Sequence, residues 1–253
     1  MVDSQGTSAG LIRGPHAYAP RTPWRPLPAL LAAVAIVGVS FLGAALMIRA
    51  GAPSGVPSSP QWRQDMADLA TLGIWQITTV ALTLAAAAMF GGTLRDVLAL
   101  RTPVGSPRVY LKGVALMAAL QVAVSLFQYS FLQQDMYADL RPFARLFSEQ
   151  WVLALLIVGI GAPLSEELLF RGFLLSALAG SRVGFWGGAL ITTGLWTALH
   201  AGYSAAGIVE VFLIGLFFSW LLWRTGSVRV AMFCHALYNS LIVLVLRYVP
   251  LPA

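Results

Sequence analysis

The chain has 253 residues, of which 58% are hydrophobic and only 10% are charged, and its mean hydropathy is +0.77. Soluble domains carry about 25% charged residues, so this composition excludes a soluble globular protein and predicts a polytopic membrane protein. The net charge of +6 fits arginine-rich cytoplasmic loops better than a nucleic-acid partner, and the single cysteine, Cys234, excludes an intrachain disulfide and a cysteine-rich metal site.

The first 27 residues are rich in Pro, Gly, Ser and Ala and carry three arginines, which predicts a disordered cytoplasmic tail over 1–27. The apolar run 28–48 is longer than the core of a signal peptide, about 7–15 residues, and is interpreted as a spanning helix. Six more apolar segments approach or exceed the roughly 17–25 residues that cross a bilayer. They are 70–90, 109–132, 150–174, 184–201, 204–223 and 229–248.

These segments predict an all-α fold, a polytopic transmembrane bundle of about seven spanning helices. Residues 28–108 would hold the N-terminal transmembrane helices, and 109–248 a second, C-terminal domain. With seven spans and a cytoplasmic N-terminus, ten Lys and Arg residues fall inside and five fall outside. This two-to-one excess predicts an N-inside, C-outside integral membrane protein. The Ala- and Arg-rich composition is interpreted as bacterial, which places the protein in the bacterial inner membrane.

Seven polar side chains within the predicted spans are candidate functional or pairing residues. They are Glu166, Glu167, Arg171, His200, Glu210, His235 and Asn239. An ionisable residue at membrane depth is by default a candidate functional residue, because its insertion costs at least about 2.5–3.5 kcal/mol. For Glu210, cavity lining and structural pairing are both open.

Helical spacing separates these residues by role. Glu167 and Arg171 are four apart and share a helix face, which predicts a structural ion pair. Glu166 is rotated by about 100° from Glu167 and needs another partner or a water. His235 and Asn239 are also four apart and point the same way.

Glu166, His200 and His235 with Asn239 thus lie on three helices, and one water-filled cavity among the four C-terminal spans would serve all of them. Two chemistries fit this set. Glu166, His200 and His235 can hold a zinc ion with an open position for water. Alternatively, Glu166 acts as general base without a metal, a histidine orients the water, and His235 with Asn239 stabilises the oxyanion. Both chemistries are hydrolysis.

Three motifs in this region resemble the CPBP family of intramembrane proteases, which includes the type II CAAX prenyl endopeptidases and the bacteriocin-processing Abi group. The stretch 166–171, EELLFR, resembles the family's EExxxR motif. The stretch 196–200, WTALH, resembles FxxxH with Trp in place of Phe, and 235–239, HALYN, fits HxxxN. Two stretches that precede the last of these motifs, 212–215 and 224–228, also resemble the family. The resemblance covers roughly 110–248.

The resemblance implies an intramembrane endopeptidase that cleaves a membrane-associated or lipidated protein or peptide, in or at the lipid bilayer. Glu166 would activate water together with His200, while His235 and Asn239 would bind the oxyanion or complete the site. Glu167 and Arg171 would support the site as a structural pair. Because the sequence has no HExxH, the choice between a zinc ion and a metal-free glutamate mechanism stays open.

Two other functions are compatible with the same residues. A non-catalytic immunity or scaffold protein of this fold would have no need of the complete set of four polar residues. A proton-coupled transporter would use intramembrane Glu and His, but we find no inverted repeat in the sequence.

The predicted boundaries conflict with a closed cluster. They place Glu166 and His235 in the cytoplasmic half of the bilayer and His200 near the outer end of its span, a mismatch of about 10–20 Å. Either the fourth span bends at Gly161 and Pro163, or the fifth span starts later or tilts, or the predicted boundaries are wrong.

Overall fold

The computed structural model describes residues 11–12, 15–50, 59–89, 91–133, 135, 137–249 and 251, except for the side chains of 47–50. Within these ranges the protein is all-α, without strands, as predicted. The helices are α1 (Pro26–Ala50), α2 (Pro60–Met89), α3 (Leu94–Val97), α4 (Arg108–Leu132), α5 (Arg141–Glu149), α6 (Trp151–Ala179), α7 (Gly184–Ala198), α8 (Ala205–Thr225) and α9 (Val228–Tyr248).

Six of these helices are long and apolar enough to cross a membrane, where about seven spans were predicted: α1, α2, α4, α6, α8 and α9. The difference is α7, which has 15 residues. At 1.5 Å per residue it is about 22 Å long, shorter than the roughly 30 Å of a bilayer core. It ends before the predicted position 201 because the chain turns at 199–203, where the N–H of His200 donates to the carbonyl of Thr197 (2.9 Å).

The turn between α6 and α7 brings the two helices side by side in opposite directions. Gly188 of α7 makes the close contact, since a Cβ there would lie 2.9 Å from the Cβ of Leu178 and 3.0 Å from the Cδ1 of Leu175 on α6. Eight residues beyond Gly188, α7 reaches Trp196, and nine residues before Leu175, α6 holds Glu166. The expected depth mismatch therefore disappears without a displaced span.

Helix α6 is widened along part of its length. It contains two π-helical stretches, Leu155–Gly161 and Glu167–Leu174, separated by one α-helical stretch, Ala162–Glu166. The predicted distortion near Gly161 and Pro163 therefore takes the form of a π-helical stretch that ends just before the proline. Such π-helical insertions occur frequently at functional sites.

A segment of the expected tail packs against one end of the bundle. We call residues 15–25 the N-terminal strap. The backbone N–H groups of Ala17 and Tyr18 both donate to the carbonyl of Trp223 at 3.1 Å. The Tyr18 hydroxyl donates to the Oγ of Ser176 at 3.0 Å, and burial raises the pKa of Tyr18 to about 12.

The strap differs from the predicted disordered tail over 1–27 because its aromatic residues find partners on the bundle. Trp24 is buried, and its ring centroid lies 4.9 Å from that of Phe173. Residues 1–10, 13 and 14 of the predicted tail lie outside the described residues.

Gly226 provides a test of the strap contact. It has a φ of +67°, and a Cβ there would lie 2.9 Å from the carbonyl oxygen of Ala17 in the strap. Gly184 has a similar φ of +69° and open space around its Cβ position. Both Gly→Ala changes carry the backbone cost of about 1–2 kcal/mol, and only Gly226→Ala also displaces the strap.

We therefore expect Gly226→Ala to lower the melting temperature more than Gly184→Ala, and to speed tryptic cleavage after Arg21. Limited proteolysis of the detergent-solubilised variants, followed by mass spectrometry, measures the cleavage rate. Equal cleavage rates in the two variants would contradict the packed strap.

Candidate active site

A fully buried ion pair lies at the centre of the site. Arg171 and Glu167 are both 0% exposed, and Nη1 of the arginine donates to Oε1 of the glutamate at 3.1 Å, which confirms the predicted pairing. Nη2 donates to the carbonyl of Gly215 at 3.1 Å. The guanidinium also lies over the rings of Trp196 (4.5 Å) and Phe218 (5.7 Å), so both aromatic faces contribute cation–π attraction.

Gly215 makes this arrangement possible, a role that sequence reasoning missed. A Cβ at this position would lie 2.8 Å from Nη2 of Arg171, 3.0 Å from Cε3 of Trp196 and 2.6 Å from Cγ2 of Thr193. A side chain here would push the arginine away from the carbonyl that it binds. The only signal in the sequence was that Gly215 belongs to the stretch 212–215, which resembles the family.

Glu167 has a second partner that helical spacing did not reveal. Its Oε1 lies 3.0 Å from Nδ1 of His235 on α9. The imidazole is buried, stacks on Phe218 (centroids 4.8 Å apart) and meets the edge of Trp196 (5.8 Å). Glu167 therefore joins Arg171 to His235 and fixes the orientation of the histidine ring.

Glu166 turns away from that pair and towards a cavity. Its Oε2 accepts a hydrogen bond from Nε1 of Trp196 at 2.6 Å and lies 3.9 Å from Nε2 of His235. The second distance is too long for a direct hydrogen bond and suits a bridging water. Trp in place of the family's Phe is therefore consequential, because only the indole has an N–H to donate.

His200 presents one ring nitrogen to the cavity. Its Nδ1 lies 3.1 Å from the carbonyl oxygen of Trp196. A carbonyl only accepts hydrogen bonds, so Nδ1 carries the proton and Nε2 of the neutral ring is an acceptor. The turn that ends α7 thus leaves His200 able to receive a hydrogen bond from a water or substrate.

Asn239 stabilises the widened part of α6. Its Nδ2 donates to the carbonyl of Val158 at 3.1 Å. In the i→i−5 pattern of this π-helical stretch, the donor to Val158 would be residue 163, but Pro163 has no N–H. Asn239 supplies the missing donor and is also one of the residues that line the cavity.

The structure brings the four predicted catalytic residues to one cavity of about 620 Å³. Glu166, His200, His235 and Asn239 all line it, together with Trp196. Its walls also include residues of α1, α2 and α4, so the cavity is not confined to the four C-terminal spans as expected. It extends to Asp135 and Asp139 at the end of the bundle opposite the strap.

The predicted zinc ligands were tested against this geometry. Among the described residues, no three His, Cys, Asp or Glu side chains are placed to hold a metal ion. Nδ1 of His235 faces Glu167, and Nδ1 of His200 faces a carbonyl. Both contacts leave the Nε2 atoms free, as in histidines that bind a metal through Nε2, so zinc binding stays a prediction and the steps below use no metal.

Comparison with known proteins finds a family match for the region that contains these residues. Residues 148–241 match the family model described as "Type II CAAX prenyl endopeptidase Rce1-like". This match agrees with the resemblance of the three sequence motifs to the CPBP family of intramembrane proteases. This confirms the resemblance, and with the six apolar spans it makes the chain an integral membrane protein. All seven polar residues singled out in the sequence lie inside the matched segment.

Two bacterial relatives extend the comparison. An uncharacterized 24.3 kDa protein of Escherichia coli is 38% identical over 86 residues, which are 33% of this chain and 40% of the relative. The chain thus spans less than half the length of that curated relative. The uncharacterized protein YpbD of Bacillus subtilis strain 168 is 24% identical over 179 residues, 68% of this chain and 87% of the relative. No solved structure matches the chain significantly.

The buried ion pair allows a test of stability. Glu167→Gln leaves the guanidinium of Arg171 buried without a countercharge, and we expect it to lower the free energy of unfolding by about 3–5 kcal/mol. Replacing both residues, Glu167→Gln with Arg171→Met, should recover most of that loss, because an apolar side chain needs no countercharge.

Unfolding of the variants in mixed detergent–SDS micelles measures these differences. Glu149→Gln is the control, since Glu149 is a 54% exposed partner of Arg145 and its loss should change stability little. A double variant less stable than Glu167→Gln would contradict this account.

Proposed function

We propose that this protein is an intramembrane endopeptidase that hydrolyses a peptide bond of a membrane-associated or lipidated protein or peptide. One observation carries the proposal. Glu166 and His235 face each other across 3.9 Å in a cavity, and each is held by its own partner, Trp196 for the carboxylate and Glu167 for the imidazole. A general base and an oxyanion donor need this kind of fixed separation around a reacting carbonyl.

In the proposed mechanism, Glu166 removes a proton from a water molecule while the water oxygen attacks the carbonyl carbon of the substrate. Nε2 of His200 accepts a hydrogen bond from the same water and orients it. Protonated His235 donates its Nε2–H to the oxyanion, and Glu167 on the other side of the ring stabilises the imidazolium. Glu166 then gives its proton to the leaving amine as the C–N bond breaks.

In the proposed mechanism, Asn239 supports the reacting groups in two ways. Its bond to Val158 holds α9 against α6, which keeps His235 and Glu166 at a constant separation. Its free amide N–H adds a second donor for the oxyanion. We also propose that the protein lies in a bacterial inner membrane with its N-terminus in the cytoplasm, supported by bacterial relatives and by the predicted excess of Lys and Arg on that side.

Glu166→Gln tests the catalytic base. The glutamine keeps the shape of the side chain but cannot take a proton, so we expect cleavage to fall by about 10²–10⁴-fold. Purified protein in liposomes is incubated with a library of lipid-anchored and transmembrane peptides, and the products are identified by mass spectrometry. Glu149→Gln, at the exposed end of α5, is the matched control and should cleave as wild type does.

Undiminished cleavage by Glu166→Gln would refute the assignment of the base. No cleavage by the wild-type protein across the library would favour a non-catalytic protein of the same fold. A parallel series with a chelator measures whether activity depends on a metal.

Trp196→Phe tests the hydrogen bond to Glu166. Phenylalanine keeps the aromatic face over Arg171 and removes only the indole N–H, so we expect kcat to fall by about tenfold with little change in stability. Trp186→Phe, a half-exposed tryptophan on the same helix, is the control and should leave kcat unchanged. Equal kcat values for wild type and Trp196→Phe would show that the indole does not position the carboxylate.

A further inference from the structure

A second glutamate lines the same cavity and has no place in the mechanism. Glu210 of α8 receives three hydrogen bonds from neutral side chains. Gln121 donates to Oε1 at 2.5 Å, Tyr238 donates to Oε1 at 3.4 Å, and Gln128 donates to Oε2 at 3.0 Å. This carboxylate is therefore held in a fixed position by α4 and α9, and none of these partners is a cation.

The other acidic residues at the mouth of the cavity are compensated within the protein. Asp135 pairs with Arg141 at 2.7 Å. Asp139 accepts hydrogen bonds from the N–H and the hydroxyl of Ser204 at the start of α8, where the helix dipole favours a negative charge. In the described part of the chain, no lysine or arginine lines the cavity. Glu210 thus differs from Asp135, which has a cationic partner, and from Asp139, which lies at the start of a helix.

The geometry leaves room for one more donor. A carboxylate has about four lone-pair directions, and the three observed bonds use two at Oε1 and one at Oε2. One direction at Oε2 stays available for a group that enters the cavity. A partly buried carboxylate without a cation is costly, and an ammonium or guanidinium group would remove that cost while forming a charge-assisted hydrogen bond.

We propose that Glu210 is a specificity-determining residue that binds a basic side chain, lysine or arginine, of the substrate polypeptide. This inference rests on the proposed function, because it uses the same cavity as Glu166. The two glutamates line one continuous space, so a substrate with its reacting bond near Glu166 can place a neighbouring side chain against Glu210. Substrates with a basic residue close to the reacting bond are then preferred over neutral ones.

The test measures binding separately from cleavage. Fluorescent lipid-anchored peptides, identical except for lysine or its neutral analogue norleucine, are titrated against the Glu166→Gln protein in liposomes. A hydrogen bond to a charged group corresponds to a preference of about tenfold to hundredfold for the lysine peptide. Adding Glu210→Gln should reduce the ratio of the two Kd values to about one, whereas adding Asp135→Asn should leave the preference in place.

A wild-type cavity that binds both peptides equally would overturn the inference, as would a lysine preference that survives Glu210→Gln. Glu210→Asp keeps the charge and should retain part of the preference, which separates loss of charge from loss of folding. If lysine is preferred in binding but no peptide is cleaved by wild-type protein, the proposed peptidase function fails while the basic subsite stands.

Discussion

The arginine buried inside the bundle determines the geometry of the site. Arg171 is wholly inaccessible and always charged, so it needs a countercharge and further acceptors within the protein. Glu167 supplies the charge from the same helix, and the carbonyl of Gly215 supplies an acceptor from α8. The same glutamate reaches His235, so the pair that neutralises the arginine also orients the candidate catalytic histidine.

The two adjacent glutamates have separate tasks because the helix changes form between them. Glu166 ends an α-helical stretch and Glu167 begins a π-helical one. Glu167 points into the packed interior, and Glu166 faces the cavity with 19% of its side chain exposed. Trp196 connects these environments, since its ring covers Arg171 and its N–H binds Glu166. One indole therefore contacts both the buried arginine and the candidate catalytic carboxylate.

The spacing of residues along the sequence predicted contacts within one helix, but it did not predict the contacts between helices. The pairing of Glu167 with Arg171 follows from helical geometry alone, which is why four-residue spacing was sufficient to predict it. The bond from Trp196 to Glu166 depends on the depth at which α7 meets α6, and this depth is set by a close glycine contact that periodicity does not reveal. The strap was missed because its composition predicts disorder, whereas its few aromatic residues have specific partners on the bundle.

The cavity contains two glutamates whose surroundings suit different roles. Glu166 has one strong donor, an indole, and keeps a face open towards His235, as a group that must gain and lose a proton requires. Glu210 is held by three neutral donors on two other helices, which fixes it in place and leaves its charge uncompensated. The surroundings of Glu166 suit a group that exchanges a proton. The surroundings of Glu210 suit a fixed negative charge that recognises a ligand. In the proposed function, one glutamate therefore serves catalysis and another serves selectivity within one cavity, because their neighbouring hydrogen-bond donors differ.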